Sequence, residues 1–354
     1  MRRIAVYRWV ASTLLCGVFM CGCKEMEKEK KGTDNSMTTL TDTSGGNAVY
    51  YWKTTFQLND TERRFLQTHH IKKIYLRFFD VDFEQDQDGT FKSIPIATTR
   101  FLDTVPAGIE VVPTVYITTK AIASDPQFAH LLFNRIKAMA KRNKIRDIHE
   151  VQLDCDWTNS TRYAFFDFCS TLDSCLSADS IKLSATIRLH QLKQKAPPVD
   201  KGILMLYNTG SIHNPNTKNS ILSYDDVEPY LRSDIRYGIP LDFAFPVYSW
   251  GILIRRNRTQ CILRTTDYGD TSLYEKQEGN RYKVLKEHFL ENHHLQAGDI
   301  IRLETSQMKE IREVKELVRS KIKQASYQSV IYHLDSLQLS QFTEQEIRTI
   351  YKND

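Results

Sequence analysis

The 354-residue chain reads as an α/β fold of eight strand–helix units closing into a barrel. Three observations predict it. From residue 48 onward, short runs rich in β-branched and aromatic residues alternate with amphipathic stretches, the rhythm of a parallel sheet with crossover connections. Eight such runs in about 300 residues suit a closed (β/α)8 TIM barrel better than an open doubly wound sheet. No GxGxxG or GxxxxGKS/T loop follows the first run, which argues against dinucleotide-binding and P-loop folds.

The expected strands are residues 49–56, 73–82, 110–118, 150–158, 181–190, 202–209, 241–250 and 329–336. Between them, Asn59 with Glu62 is a capping-box signature ahead of a helix over residues 63–70. Ser124-Asp125-Pro126 opens a helix reaching about Arg142, with proline in its first turn. Asp225 opens a short helix to Arg232, residues 306–324 are long and periodic, and Thr343 with Glu346 caps the last helix. Residues 251–305, between the seventh strand and its helix, hold a basic-aliphatic run (252–264), a helix-like stretch (282–293) and a short strand (299–304). They read as an insertion on the C-terminal face within a barrel domain over residues 48–354; a separate small domain is the alternative.

The N-terminus reads as an address. Arg2, Arg3 and Arg8 precede an uncharged, mostly apolar stretch over residues 9–22, too short to cross a bilayer and suited to a signal peptide. It ends in Met20-Cys21-Gly22-Cys23. A small residue before a cysteine resembles the lipobox of bacterial lipoproteins, with Cys23 lipidated and Met20 in place of the usual Leu. Cys16 and Cys21 follow Leu15 and Met20, too large for the cleavage position. An ordinary secretory peptide is the alternative. Residues 23–47 hold a Lys/Glu run and then Thr, Ser, Gly, Asp and Asn, which cannot form a core and read as a tether. The Lys/Glu run resembles the surface-export signal of Bacteroides-type lipoproteins. An outer-membrane lipid anchor is therefore expected, on the surface or periplasmic face.

With 41% hydrophobic and 11% aromatic residues, the chain buries a sizeable core, which excludes global disorder. The formal charge of +5 falls to +2 once residues 1–22 go, because three arginines and no acid leave with them. No basic stripe stands out, so nucleic acid is not expected as a partner. Seven cysteines do not make a disulfide scaffold. Cys155, Cys169, Cys175 and Cys261 fit no zinc spacing; a Cys169–Cys175 bridge and small buried hydrophobes are the two readings. No cofactor is expected, and no ligand spacing supports Ca²⁺ or Mg²⁺ on the carboxylates.

Residues two apart in a strand share a face. In the fourth strand Val151, Leu153 and Cys155 then face the helices, while Gln152, Asp154 and Asp156 point into the barrel mouth. The second strand offers Asp80 and Asp82, the fifth Ser184, Thr186, Arg188 and His190, and the sixth Tyr207. The seventh offers Tyr248 and Trp250, the eighth His333 and Asp335, and the first Trp52 or Lys53. Two carboxyls beside aromatics suit glycosidic hydrolysis, one protonating the leaving oxygen and one acting as base or nucleophile. Asp154 is the first choice, with Asp156 or Asp80 as partner. Arg188, Tyr207, Tyr248, Trp250, Asp82, His333 and Asp335 are expected to bind substrate. Structural carboxylates paired with Arg188 are the alternative.

The runs EVQLDCDW (150–157), KLSATIR (182–188), LMLYN (204–208) and PLDFAFPVYSW (240–250) resemble a group of bacterial proteins, often lipoproteins of Bacteroidetes, with glycoside-hydrolase-like TIM barrels. The resemblance covers most of residues 48–340 and implies a fold and a cell-envelope setting. More distantly, the fourth strand resembles the chitinase-type barrels, whose strand ends in DxxDxDxE. Asp154 and Asp156 match its last two aspartates, while Thr158 stands at the acid. The expected function is a lipid-anchored glycosidase acting on a poly- or oligosaccharide. The alternative is a non-catalytic glycan-binding or structural lipoprotein on the same barrel. A deacetylase-type hydrolase is a third class, without a His-x-x-x-His site to support it.

Overall fold

The computed structural model describes residues 46–85, 89, 91–122 and 127–352. The signal-like segment, Cys23, the tether up to residue 45 and the Ser124-Asp125-Pro126 cap lie outside them. Ser44–Asp354 forms one compact unit, and both hydrophobic clusters fall inside it, so that unit carries its own core.

Eight parallel strands close on themselves. They are β1 (Asn47–Tyr51), β2 (Ile71–Gln85), β3 (Glu110–Ile117), β4 (Glu150–Asp154), β5 (Lys182–Ile187), β6 (Lys201–Met205), β7 (Leu241–Pro246) and β8 (Ser329–Tyr332). Each pairs with the next in sequence. Closure comes from β1, where Val49 lies opposite Ile74 of β2 on one side and Ile331 of β8 on the other. Every expected run overlaps its strand, and the larger differences sit at the C-terminal ends. The first run splits into β1 and a two-residue strand, Thr55–Phe56. The fifth turns after Ile187 into a 3-10 helix, Leu189–Lys193, and the eighth stops at Tyr332. β2 instead runs on to Gln85 and pairs antiparallel with Phe91–Ile96.

Five longer helices cover the barrel: α1 (Asp60–Thr68), α2 (Phe128–Arg142), α3 (Arg162–Ser177), α4 (Met308–Lys321) and α5 (Glu344–Tyr351). Both capping boxes expected from sequence form: Asn59 Oδ1 accepts from Glu62 N at 2.9 Å, and Thr343 Oγ1 accepts from Glu346 N at 3.2 Å. After β6 the expected helix over residues 225–232 shortens to Tyr224–Val227 and a 3-10 turn. Buried apolar residues of the strands pack outward on the helices, as sheets covered on both faces require. The lower barrel interior is polar and paired. Buried Glu150 accepts from Ser184 Oγ at 2.6 Å and Lys73 Nζ at 2.8 Å, and Lys201 Nζ bridges toward Asp242 at 3.0 Å.

Beyond β7 the chain leaves the barrel. Ser249–Arg255, Arg258–Leu263, Tyr274–Lys276, Arg281–Val284 and Ile300–Thr305 build an antiparallel sheet with its own cluster around Leu253, Val284 and Ile301. Trp250 therefore belongs to this sheet and not to the seventh barrel strand. The helix expected over residues 282–293 is also corrected. Tyr282 pairs with Ile301 on a strand, and His288–Leu290 forms a hairpin with His293–Leu295. Glu291 and Asn292 at φ 51° and 64° make the two-residue turn whose left-handed backbone matches strand twist. Such a turn ends any helix.

The cysteine question resolves toward free thiols. Cys169 is buried in the core, and Cys175 lies with Sγ 3.1 Å from His130 Nδ1, so the two are not bridged. No helix among the described residues is long and apolar enough to cross a membrane.

Candidate functional site

Parallel register builds the site. Gln152 of β4 lies opposite Ser184 of β5, so the inward residues of the two strands climb the barrel side by side. The donors of β5 then meet the acceptors of β4 in order. Ser184 donates to Glu150, Thr186 Oγ1 donates to Asp154 Oδ1 at 2.7 Å, and Arg188 reaches both aspartates. Its Nε donates to Asp156 Oδ1 at 2.6 Å and its Nη2 to Asp154 Oδ1 at 3.4 Å. One guanidinium thus spans the pair.

The two carboxyls sit in different surroundings. Asp154 is 7% exposed, whereas Asp156 is exposed. Burial raises the Asp154 carboxyl above the usual aspartate range, and Arg188 and the Thr186 hydroxyl offset only part of that rise. Burial works against the Arg188 charge, but Asp154 and Asp156 outweigh it and hold the guanidinium firmly protonated.

An aromatic cluster lies beside this pair. Its centre is Tyr332, the last residue of β8, stacked on Tyr207 with centroids 4.4 Å apart. Tyr50 and Tyr248 each lie 5.8 Å from Tyr332, and Trp52 lies 6.3 Å away. Tyr248 carries the cluster on to Trp250 at 5.2 Å, and its hydroxyl donates to Asn208 Oδ1 at 2.7 Å. Trp250 is held from behind by the insertion: its Nε1 donates to the buried Glu304 Oε2 at 2.7 Å. Rings from four strand ends and the inserted sheet so pack into one cluster, in which Tyr50, Tyr207 and Tyr248 are buried and Trp52, Trp250 and Tyr332 are part-exposed.

Other expected site residues have different occupations. Asp80 is gripped by Arg77, whose Nε donates to Oδ1 at 2.8 Å and whose Nη2 binds Oδ2. A bulge between Arg77 and Phe79 puts these two on one side of the strand. With both oxygens engaged, Asp80 is a weaker partner for Asp154 than Asp156 is. Asp82 Oδ1 accepts from Thr118 Oγ1 at 3.0 Å and from Phe83 N at 2.9 Å, a turn-fixing role. Asp335 caps the short helix Ser336–Leu339 and binds Lys53 Nζ at 2.9 Å. His190 points out from the 3-10 turn, exposed. His333 is half-buried with Nδ1 unpartnered among the described residues.

Burial pushes His333 down to about 4, with Asp335 opposing and Lys53 assisting. Because the folded-state value lies below the ordinary 6.5, protonation favours the unfolded chain. The stability this group contributes is complete above pH 6.5 and is lost as pH falls toward 4. His333→Phe keeps the ring and removes the titration, so its acid-unfolding midpoint, followed by circular dichroism, is expected at lower pH than that of the wild type.

The sequence reading missed Tyr332, Arg77 and Glu304. Alternation along β8 favoured His333, but the strand ends at Tyr332 and the alternation ends with it. Arg77 is hidden by the bulge. Glu304 sits in the expected strand 299–304, but its link to Trp250 depends on pairing across 54 residues. Among the described residues, no group of three or more His, Cys, Asp or Glu side chains is placed to hold a metal ion.

No family model and no curated protein sequence matches the chain. Solved structures do. The spore cortex-lytic enzyme SleL of Bacillus megaterium aligns with TM-score 0.50 and 13% identity, over 87% of this chain and 74% of that one. A group IV chitinase of Ostrinia furnacalis aligns with TM-score 0.49 and 11% identity, over 86% and 97%. The chitinase-like agglutinin of Robinia pseudoacacia aligns with TM-score 0.48 and 10% identity, over 86% and 97%. The fold these alignments share with the chain is the (β/α)8 barrel.

Proposed function

We propose that the barrel mouth binds a poly- or oligosaccharide and hydrolyses a glycosidic bond, on a chain held at the outer membrane by lipid on Cys23. The observation that carries the reading is Arg188 spanning a buried Asp154 and an exposed Asp156 beside the Tyr332-centred rings. Two carboxyls in unlike surroundings divide the labour of acid and base. Asp154, whose carboxyl burial shifts above the usual aspartate range, is the proton donor to the leaving oxygen. Asp156, which accepts from Arg188, supports the developing positive charge or takes the proton of the attacking water. Trp250, the part-exposed ring of the three, stacks on the sugar, with Tyr207 and Tyr248 packed behind it.

A second reading, a glycan-binding barrel without turnover, has its own support. Thr158 stands where chitinase-type barrels carry their acid, and it is occupied in hydrogen bonds with Ser160 and Thr161. A glycan array and a reducing-end hydrolysis screen on Ser44–Asp354 separate the two. Turnover of an array-positive glycan is expected, and binding without any turnover would sink the hydrolase and leave the binder. Acylation of Cys23 is read separately, from the mass of the N-terminal peptide of envelope-extracted protein.

A further inference from the structure

The end of the barrel opposite the mouth carries a charge pattern that the glycan reading leaves unused. All eight strands are parallel, so the loops preceding them share one end with Gly46, where the described chain enters β1. At that end the last turns of α2 and the loop to β4 enclose a surface cavity of about 490 Å³. Its rim holds Lys137, Lys141, Lys144 and Arg146, and its floor includes Ile145, Ile148 and Ile181. The four lie within ten residues of one another in the chain, and the low overall charge hides this local run because acids elsewhere cancel it.

Compensation is incomplete. Lys137 is paired with Asp179 at 2.6 Å. Lys141, Lys144 and Arg146 are exposed and have no ion pair among the described residues, while Asp147 is the other acid on the rim. An apolar floor under a basic rim matches a phosphate headgroup with the first carbons of its glycerol and acyl chains. We propose that this face docks on a membrane leaflet bearing anionic phospholipid, seating the barrel with its sugar-binding mouth turned away from the bilayer. A soluble anion fits the rim but makes no use of the apolar floor. A surface on the chain's entry side also needs no reorientation of the body when its N-terminus is held at a membrane.

The test uses Ser44–Asp354, which carries its own core and lacks Cys23. It is cosedimented with vesicles of phosphatidylglycerol and phosphatidylcholine in equal parts, and with pure phosphatidylcholine. Each basic side chain at an anionic surface contributes roughly fivefold in partitioning, so Lys141→Gln/Lys144→Gln/Arg146→Gln is expected to lose about a hundredfold. Binding to mixed vesicles is expected to weaken as salt rises. Unchanged thermal unfolding of the triple variant shows that the loss is not misfolding. Equal binding to pure phosphatidylcholine, or an unaffected triple variant, overturns the proposal. Equally tight competition by inorganic phosphate assigns the rim to a soluble anion and overturns it too. Neither acylation of Cys23 nor turnover at the mouth enters the readout.

Discussion

Asp154→Asn is expected to lower glycan hydrolysis by about a thousandfold while leaving glycan affinity within a few-fold of wild type. Loss of a positioned general acid costs on the order of 10²–10⁴ in rate. The amide keeps the shape and still accepts from Thr186, so the aromatic cluster stays in place. Single-turnover rates beside array affinities make the comparison. The pH profile gives a second signature. Burial raises the Asp154 value, so the protonated form persists above the usual aspartate range, and the wild-type rate is lost as pH rises through that raised value. The same sign applies to stability: the group's contribution is present at low pH and disappears through that interval. In the asparagine variant the high-pH limb is absent. A variant that loses binding and rate together, or keeps the limb, removes Asp154 from the acid role.

Arg302→Met is expected to destabilise the protein by about 3–5 kcal/mol, the usual cost of leaving one member of a buried ion pair alone. Arg302 and Glu304 are both fully buried, with Nε donating to Oε1 at 2.7 Å. Arg302 Nη1 also donates to Asn214 O at 2.9 Å, pinning the loop after β6 against the inserted sheet. Glu304 in turn accepts from Ser220 and from Trp250. Replacing the arginine strands a buried carboxylate and leaves the Asn214 and Ile212 carbonyls without their donor. The expected fall in melting temperature is on the order of 10 °C, read by calorimetry. Trp250 fluorescence is expected to red-shift, since its anchor loosens. Arg302→Met/Glu304→Met is expected to recover most of the stability, because an apolar pair no longer buries an orphan charge. It is not expected to restore the Trp250 position. An additive double variant would show that the pair is not coupled.

Both experiments probe groups that differ in how far they can be seen in the sequence. Asp154 and Thr186 are legible because they lie on two regular strands, where alternation assigns a face to each residue and parallel pairing aligns the faces; Arg188, one residue past its strand, keeps that face. The pairing of Arg188 with both aspartates was foreseen only as the structural alternative to a substrate-binding arginine. Asp80 and Asp335 have structural partners that alternation does not show, because one sits beside a bulge and the other past a strand end. The stretch over residues 282–293 misled because apolar residues at helical spacing also arise when two short strands flank a turn.

Local pattern therefore settles the eight strands, both capping boxes and the β4–β5 face, since these depend on neighbours a few residues apart or on simple alternation. Closure of the sheet settles the rest. It brings Tyr50, Tyr207 and Tyr332 from strands far apart in the chain into one cluster and sets Glu304 behind Trp250. Those contacts span from tens of residues to nearly the whole barrel, and no short-range signal encodes which distant partner a side chain meets.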